Sequence, residues 1–400
     1  MKAFIPYGGY WSTPFSRWSG PLAHLHAIEF AAHVTKSELA RRDLSANLFD
    51  YAAYGLTVPQ KSCFYGVPWF AGMIGADALT GPTINQACAT GARLFSAAAG
   101  EIATGGATTC LIVSGDRCSN GAHIYYPAPH GPGGTGDSEN WVLDSFANDP
   151  WAKCAMVATA ENVAARESVT TEEQHELVLH RSAQYQDALA DDAAFLKRFM
   201  TLPFEVPDAR FRKTQTVLEG DTGIHPSTAE GLAKLKPVMP GGTVTFGGQT
   251  HPADGSAAAI VVDSAGRASE LSANPAISIE LVSFGLARVE KAHMPAAPIP
   301  AARQALERAG KTISDMAAIK SHNPFAVNDI AFARAFGIDW RAMNNFGSSL
   351  IWGHPQGPTG LRAIIELIEE LAIKGGGYGL FQGCAAGDSS MAVIVKVGDA

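Results

Sequence analysis

The sequence contains no run of about 18 apolar residues, so no membrane-spanning helix is expected. Its opening, Met1-Lys-Ala-Phe-Ile-Pro-Tyr-Gly-Gly, has neither an apolar h-region nor a small-residue cleavage site, which speaks against a signal peptide. Charge is sparse at 17%, and the formal net charge is −8. An acidic chain without a basic excess does not suit a nucleic-acid groove or an anionic membrane surface. Cysteine is also scarce, with six residues at 63, 88, 110, 118, 154 and 384 and no Cys-x-x-Cys spacing. A zinc ribbon and a disulfide framework are therefore not expected, and no metal site is assigned. Free thiols fit a reducing cytoplasm.

Apolar residues are plentiful. At 46% of 400 residues they are enough for a large core in two or three domain-sized units. Residues 1–20 read as a strand and an aromatic-rich loop, Leu22 to Arg42 as a helix, and Leu56 to Phe70 as turn-rich. A small-residue helix from about Thr90 to Thr104 leads to the apolar strand Cys110-Leu-Ile-Val-Ser114, a β-turn-α-β unit of an open α/β sheet. From Ser119 to about Thr250 the character changes. Pro127 to Gly136 is a loop by composition, Ala155 to Arg166 and Thr171 to Leu189 are amphipathic helices, and Thr170-Thr-Glu-Glu predicts a capping box. Pro203 to Lys236 reads as irregular. The sheet resumes with strands at Gly242 to Phe246, Ala257 to Val262 and Ala276 to Ser283, followed by a helix at Ala301 to Gly310. A helix from Thr359 to Lys374 precedes strands Tyr378 to Phe381 and Met391 to Lys396. The two ends of the chain thus share a layout without sharing sequence.

Cys88, in Gly81-Pro-Thr-Ile-Asn-Gln-Ala-Cys88-Ala-Thr-Gly91, lies between a short strand and a helix N-terminus. Free N–H groups and the positive end of the helix dipole lower a thiol pKa there. A lone cysteine more often packs as a small hydrophobe, and this stretch by itself leaves both readings open. Three later stretches bear on the choice: Ser321-His322-Asn323-Pro324-Phe325, Trp352-Gly353-His354-Pro355-Gln356-Gly357-Pro358-Thr359-Gly360, and Gly383-Cys384-Ala385-Ala386-Gly387-Asp388. Two thiols and two imidazoles suffice for nucleophilic acyl transfer with general acid-base help.

In this order the four stretches resemble the thiolase family over nearly the whole chain. The resemblance implies an α/β thiolase fold, layered αβαβα. Its N-terminal half would be 1–118 and 250–270, its inserted loop domain 119–249, and its C-terminal half 271–400. It implies that Cys88 is the acylated nucleophile, that His354 activates it, and that Cys384 is the acid/base. His354 and His322 would form one oxyanion hole, and the N–H groups of Cys88 and Ala386 a second. Alanine at 386 is acceptable only where φ is negative. Met156 and Phe325 would line the acyl pocket, and Thr250 would stand where a serine approaches the pantetheine arm. Coenzyme A is a substrate, and no permanently bound cofactor is implied.

The departures are specific. His322, Asn323 and Pro324 replace the Asn, Glu and Ala of an Asn-Glu-Ala-Phe motif, which resembles the His-first, sterol-carrier-type branch. Arg117 replaces an acidic residue. Ala155 and Ile224 stand where relatives place a histidine and an arginine on CoA. The aromatic N-terminal loop and Trp352 beside His354 suggest a bulky or aryl acyl group. The branch that splits benzoylsuccinyl-CoA in anaerobic toluene breakdown is one candidate, and it works with a small zinc-finger/OB-fold partner subunit. A homodimer or dimer of dimers is expected. The expected reaction is cleavage of a β-ketoacyl-CoA with free CoA. The alternatives are a fatty acyl thiolase of the sterol-carrier type and a ketoacyl-synthase-like condensing enzyme, against which Cys384 argues. A non-catalytic scaffold would have lost one of the four groups.

Overall fold

The computed structural model describes residues 2–399. Its first half is built from β1 (Ala3–Phe4), α1 (Ala27–Arg41), β2 (Tyr51–Gly55), α2 (Thr90–Thr104) and β3 (Thr109–Arg117). Two long helices follow, α3 (Met156–Glu167) and α4 (Thr171–Ala193), before β4 (Ala253–Val262) returns to the sheet. The second half comprises β5 (Ile277–Arg288), α5 (Pro298–Ala309), β6 (Met316–His322), α6 (Ala326–Phe336), α7 (Gly357–Ile373), β7 (Gly377–Ala385) and β8 (Ser389–Asp399).

The halves repeat one pattern. β2 lies parallel to β3, which lies antiparallel to β4. Likewise β6 lies parallel to β7, which lies antiparallel to β8. β1 pairs with both β4 and β5 and joins the halves into one 11-stranded sheet. Where the second half closes β7 to β8 with the turn 386–388, the first half runs through 118–252.

Strand alternation sorts the core. Along β3, Leu111 and Val113 face α1, while Cys110 and Ile112 face the central helices. The central pair is α2 and α7. They cross closely because glycines meet at the contact. A Cβ on Gly91 would lie 2.4 Å from the Leu361 nitrogen, and one on Gly360 would lie 3.0 Å from the Ala92 nitrogen. α7 is buried from Gly357 to Leu371, charged residues included. Each of these charges is paired. Arg362 bonds Glu366 at 2.9 Å and Asp221 of the long insertion at 2.6 and 2.7 Å, and Lys320 reaches Glu366 at 3.1 Å.

Several expectations need adjusting. The helix expected from Leu22 begins at Ala27, with His26 as its cap. Gly242 to Phe246 is not a strand, because Glu161 draws off the ladder donors by accepting from the Thr243 and Val244 N–H groups. Within the stretch read as irregular, Phe204–Pro207 and Thr214–Leu218 form a hairpin, and Ala229–Ala233 is a short helix capped by Thr228. Thr170 caps α4 by accepting from the Glu173 N–H at 3.2 Å. Among the described residues no helix is long and apolar enough to cross a membrane.

Candidate active site

Cys88 is set by a knot of local bonds. Ala87 N donates to Asn85 Oδ1 at 2.9 Å and Gln86 N to Thr90 Oγ1 at 2.8 Å, while Thr90 Oγ1 donates to Ala87 O at 2.7 Å. Ala87 holds φ +45°, seldom adopted by an L-residue, and this sharp turn presents Cys88 just ahead of Ala89, the cap of α2. The opposite wall comes from the other half. Gly353, at φ +95°, turns the chain so that His354 points back at Cys88. His354 Nε2 lies 3.1 Å from Cys88 Sγ, and its Nδ1 lies 2.7 Å from Thr359 Oγ1 in the first turns of α7.

The other two groups stand at the ends of neighbouring strands. His322 closes β6 and pairs in register with Gly383 of β7, one residue before Cys384. The His322 and His354 rings lie 4.1 Å apart. His322 Nδ1 meets Ser349 Oγ at 2.8 Å. Ser349 Oγ also donates to Asn323 Oδ1 at 3.2 Å and accepts from the Asn323 N–H at 3.1 Å, while the Leu350 N–H donates to the same Oδ1 at 3.1 Å. His322 Nε2 is a buried atom with no hydrogen-bond partner. Cys384 Sγ accepts from Asn328 Nδ2 at 3.3 Å. The Ala386 N–H favours the charged form of the Cys88 sulfur, and Ala386 does not take a positive φ.

Burial sets the protonation states. It pushes the Cys88 thiol up to about 11, against the lowering effect of the Ala386 and Cys88 N–H groups. The resting thiol is therefore raised where the helix N-terminus led to the expectation of a depressed one, because desolvation outweighs the N–H groups that face the sulfur. Burial, reinforced by the nearby Cys88, raises Cys384 well above the ordinary thiol range. Burial holds His322 at about 3, and burial together with His322 holds His354 well below an ordinary histidine. The resting cluster is neutral. Cys88, His322 and His354 place a sulfur and two ring nitrogens within 4.8 Å of one another, a Cys-His-His set with soft donors for a metal. Cys88 and His354 are partners of each other and His322 Nδ1 meets Ser349, while His322 Nε2 has no partner.

Cys88 and His354 floor a cavity of about 470 Å³, and His322 and Cys384 stand behind them, outside its lining. Met156, Thr250, Phe325 and Ala386 line it, as does apolar surface from Trp141 and Phe146 of the insertion. The Thr250 hydroxyl is already committed to the Ser349 carbonyl. Trp352 is a correction. It is fully buried, 5.4 Å from the Phe15 ring and 4.3 Å from the Arg362 guanidinium, and it supports the floor from below without reaching the cavity. Only a φ of +95° at Gly353 separates it from His354, and that turn sends the two side chains apart. Ile224 lies in a second cavity of about 340 Å³ beside Asp221 and Tyr185, and Ala155 caps α3 outside both linings.

Sequence reasoning missed Gln356, Asn328, Ser349 and Asp116. Gln356 Oε1 lies 3.3 Å from Cys88 Sγ. Asp116 accepts from the N–H groups of Thr57, Val58 and Gly357, and so ties the cavity wall to the start of α7. Asn328, one turn after Phe325, and Gln356, inside the Gly-His-Pro stretch, were visible as polar residues at apolar-looking sites.

The thiolase N-terminal domain model matches residues 10–265, and the thiolase C-terminal domain model matches residues 276–397. The chain is 29% identical to the Beta-ketothiolase BktB of Cupriavidus necator over 96% of each sequence. It is similarly 29% identical to an acetyl-CoA acetyltransferase of Syntrophomonas wolfei, again over 96% of each. The human mitochondrial 3-ketoacyl-CoA thiolase solved in complex with CoA is 26% identical and superposes with a TM-score of 0.87 over 99% of this chain and 98% of that one. Matches of that extent on both halves place the chain in the thiolase family, a class of acyltransferase enzymes.

Proposed function

We propose that the protein cleaves a β-ketoacyl-CoA with free CoA through an acyl-enzyme on Cys88. The observation that carries this reading is the 3.1 Å contact between Cys88 Sγ and His354 Nε2 at the floor of an apolar cavity. His354 takes the Cys88 proton, and the thiolate attacks the 3-keto carbonyl. The oxyanion lies between the N–H groups of Cys88 and Ala386. The carbon-carbon bond then breaks. The enolate oxygen of the departing acyl-CoA is held by the Nε2–H groups of His354 and His322, and its carbon takes a proton from Cys384. Free CoA enters, gives its thiol proton to Cys384, and attacks the acyl-Cys88 thioester. Acyl-CoA leaves and Cys88 is restored. Condensation is the same sequence reversed.

The acyl group is bulky or aryl in this reading, as in benzoylsuccinyl-CoA, and Trp141, Phe146, Met156 and Phe325 on the cavity wall support that. The segments assigned as halves and loop domain follow the repeated strand order. In this reading the chain is a homo-oligomer, and it works in a reducing cytoplasm, which six free cysteines support. A small partner subunit that helps hold CoA is part of the same reading, since Ala155 and Ile224 offer no charge to the nucleotide. Two lost charge-assisted contacts, each about 1.5–3 kcal/mol, weaken CoA by more than tenfold. Titrating CoA into the purified chain tests the partner, because low-micromolar binding with full activity alone would remove the need for one. Mass spectrometry after mixing with acyl-CoA tests the core of the reading. An acyl adduct is expected on Cys88 and absent from Cys88→Ser. An adduct on another residue would overturn it.

A further inference from the structure

Gln356 touches the nucleophile. Its Oε1 lies 3.3 Å from Cys88 Sγ, while its Nε2 is buried without a hydrogen-bond partner. The residue is 6% exposed and lines the cavity. Its backbone is held at φ +65° and ψ −102°, a conformation costly for any residue but glycine. The following N–H is fixed by Asp116 at 2.9 Å, and Gln356 O accepts from the Thr359 N–H at 3.2 Å. The amide is thus placed against the sulfur by a backbone that nothing else about the residue favours.

The thiol has one hydrogen and two acceptors beside it, His354 Nε2 at 3.1 Å and Gln356 Oε1 at 3.3 Å. As long as sulfur keeps its proton, Oε1 is a compatible neighbour. Once His354 takes the proton, sulfur can only accept, and a carbonyl oxygen at that distance opposes the new negative charge. The terminal torsion of glutamine is broad and close to two-fold, and Oε1 and Nε2 have nearly the same size. A half-turn therefore replaces the opposing oxygen with a donor and gives the orphaned Nε2 its missing partner.

We propose that Gln356 is a catalytic residue whose side-chain amide reverses as Cys88 ionises, so that Nε2–H donates to the thiolate. The proton passes from Cys88 Sγ to His354 Nε2, and no other bond forms or breaks. A donor at the sulfur offsets the burial that disfavours its charge, since hydrogen bonds to an ionised partner are the strong ones. The inference rests on Cys88 as the nucleophile.

The test is the rate at which iodoacetamide alkylates Cys88, followed by the mass of the Cys88 peptide from pH 7 to 9, in Gln356→Glu and Gln356→Gly. Glutamate keeps the size and an acceptor oxygen but has no N–H, and glycine relieves the positive φ, so that variant folds without strain. Both are expected to lose about tenfold or more in rate at a fixed pH, equivalent to one unit of thiol pKa. Alkylation of both variants at the wild-type rate across that range would overturn the proposal. Acyl-adduct mapping on the unaltered enzyme reads the nucleophile separately. An adduct elsewhere defeats the Cys88 assignment, and unchanged alkylation in the variants defeats the amide alone.

Discussion

Cys88 Sγ and His354 Nε2 stand 3.1 Å apart as a thiol and a neutral imidazole. Both charged forms are disfavoured by burial, the thiolate by a thiol raised to about 11 and the imidazolium by a histidine well below its ordinary value. Proton transfer between them is therefore delayed until substrate brings a developing charge for the oxyanion donors to hold.

That arrangement predicts a pH profile. For a thiol raised to about 11, the thiolate fraction grows with pH throughout the range below that value. Alkylation of Cys88 in the free enzyme should climb by about tenfold per pH unit between pH 6 and 9. A plateau between pH 6 and 8 would mean that a thiolate-imidazolium pair already exists at rest.

The second thiol should separate the half-reactions. Cys384 is fully buried and its sulfur accepts from Asn328, so its removal leaves the Cys88–His354 contact in place. Cys384→Ala should still acylate Cys88 from a simple acyl-CoA but should lose thiolysis of a β-ketoacyl-CoA, which needs the proton shuttle. Near-normal thiolysis would make Cys384 structural and favour the ketoacyl-synthase-like alternative.

The two histidines should be unequal. His354 contacts Cys88 directly, whereas His322 offers one unpartnered nitrogen beside it. His354→Ala should abolish single-turnover acylation. His322→Asn keeps an amide donor and should lose less than the roughly 10²–10³ that removal of an oxyanion donor costs. Equal, complete loss in both would assign His322 a proton-transfer role.

Stability should depend on a buried ion pair beneath the site. The Asp221 and Arg362 side chains are wholly buried and 2.6 Å apart, and Asp221 also accepts from Tyr185 Oη at 2.8 Å. Asp221→Ala strands the Arg362 charge inside α7 and should cost about 3–5 kcal/mol, read from the denaturant midpoint. A shift under about 1 kcal/mol would mean that Glu366 alone compensates Arg362.

The sequence by itself determined the nucleophile's neighbourhood and the repeated α/β layout. Both are local: a strand, a tight turn and a helix N-terminus around Cys88, and the Gly-His-Pro and Gly-Cys-Ala-Ala-Gly stretches, where Gly353 and Gly387 take a positive φ. Their order along the chain carried the family resemblance. What needed the tertiary structure were relationships between residues hundreds of positions apart. The sign of the Cys88 shift could not be read locally, because a helix end lowers a thiol while the burial that raises it comes from the packing of both halves. Trp352, adjacent to the Gly353-His354 turn, was read as a cavity residue, and a single positive φ sends it into the core against Phe15 and Arg362. Gln356 and Asn328 looked like loop and helix polar residues until the fold set one against each thiol. Hydrogen bonds at about 3 Å are decided by how two halves dock, and periodicity along one strand or helix does not encode that distance.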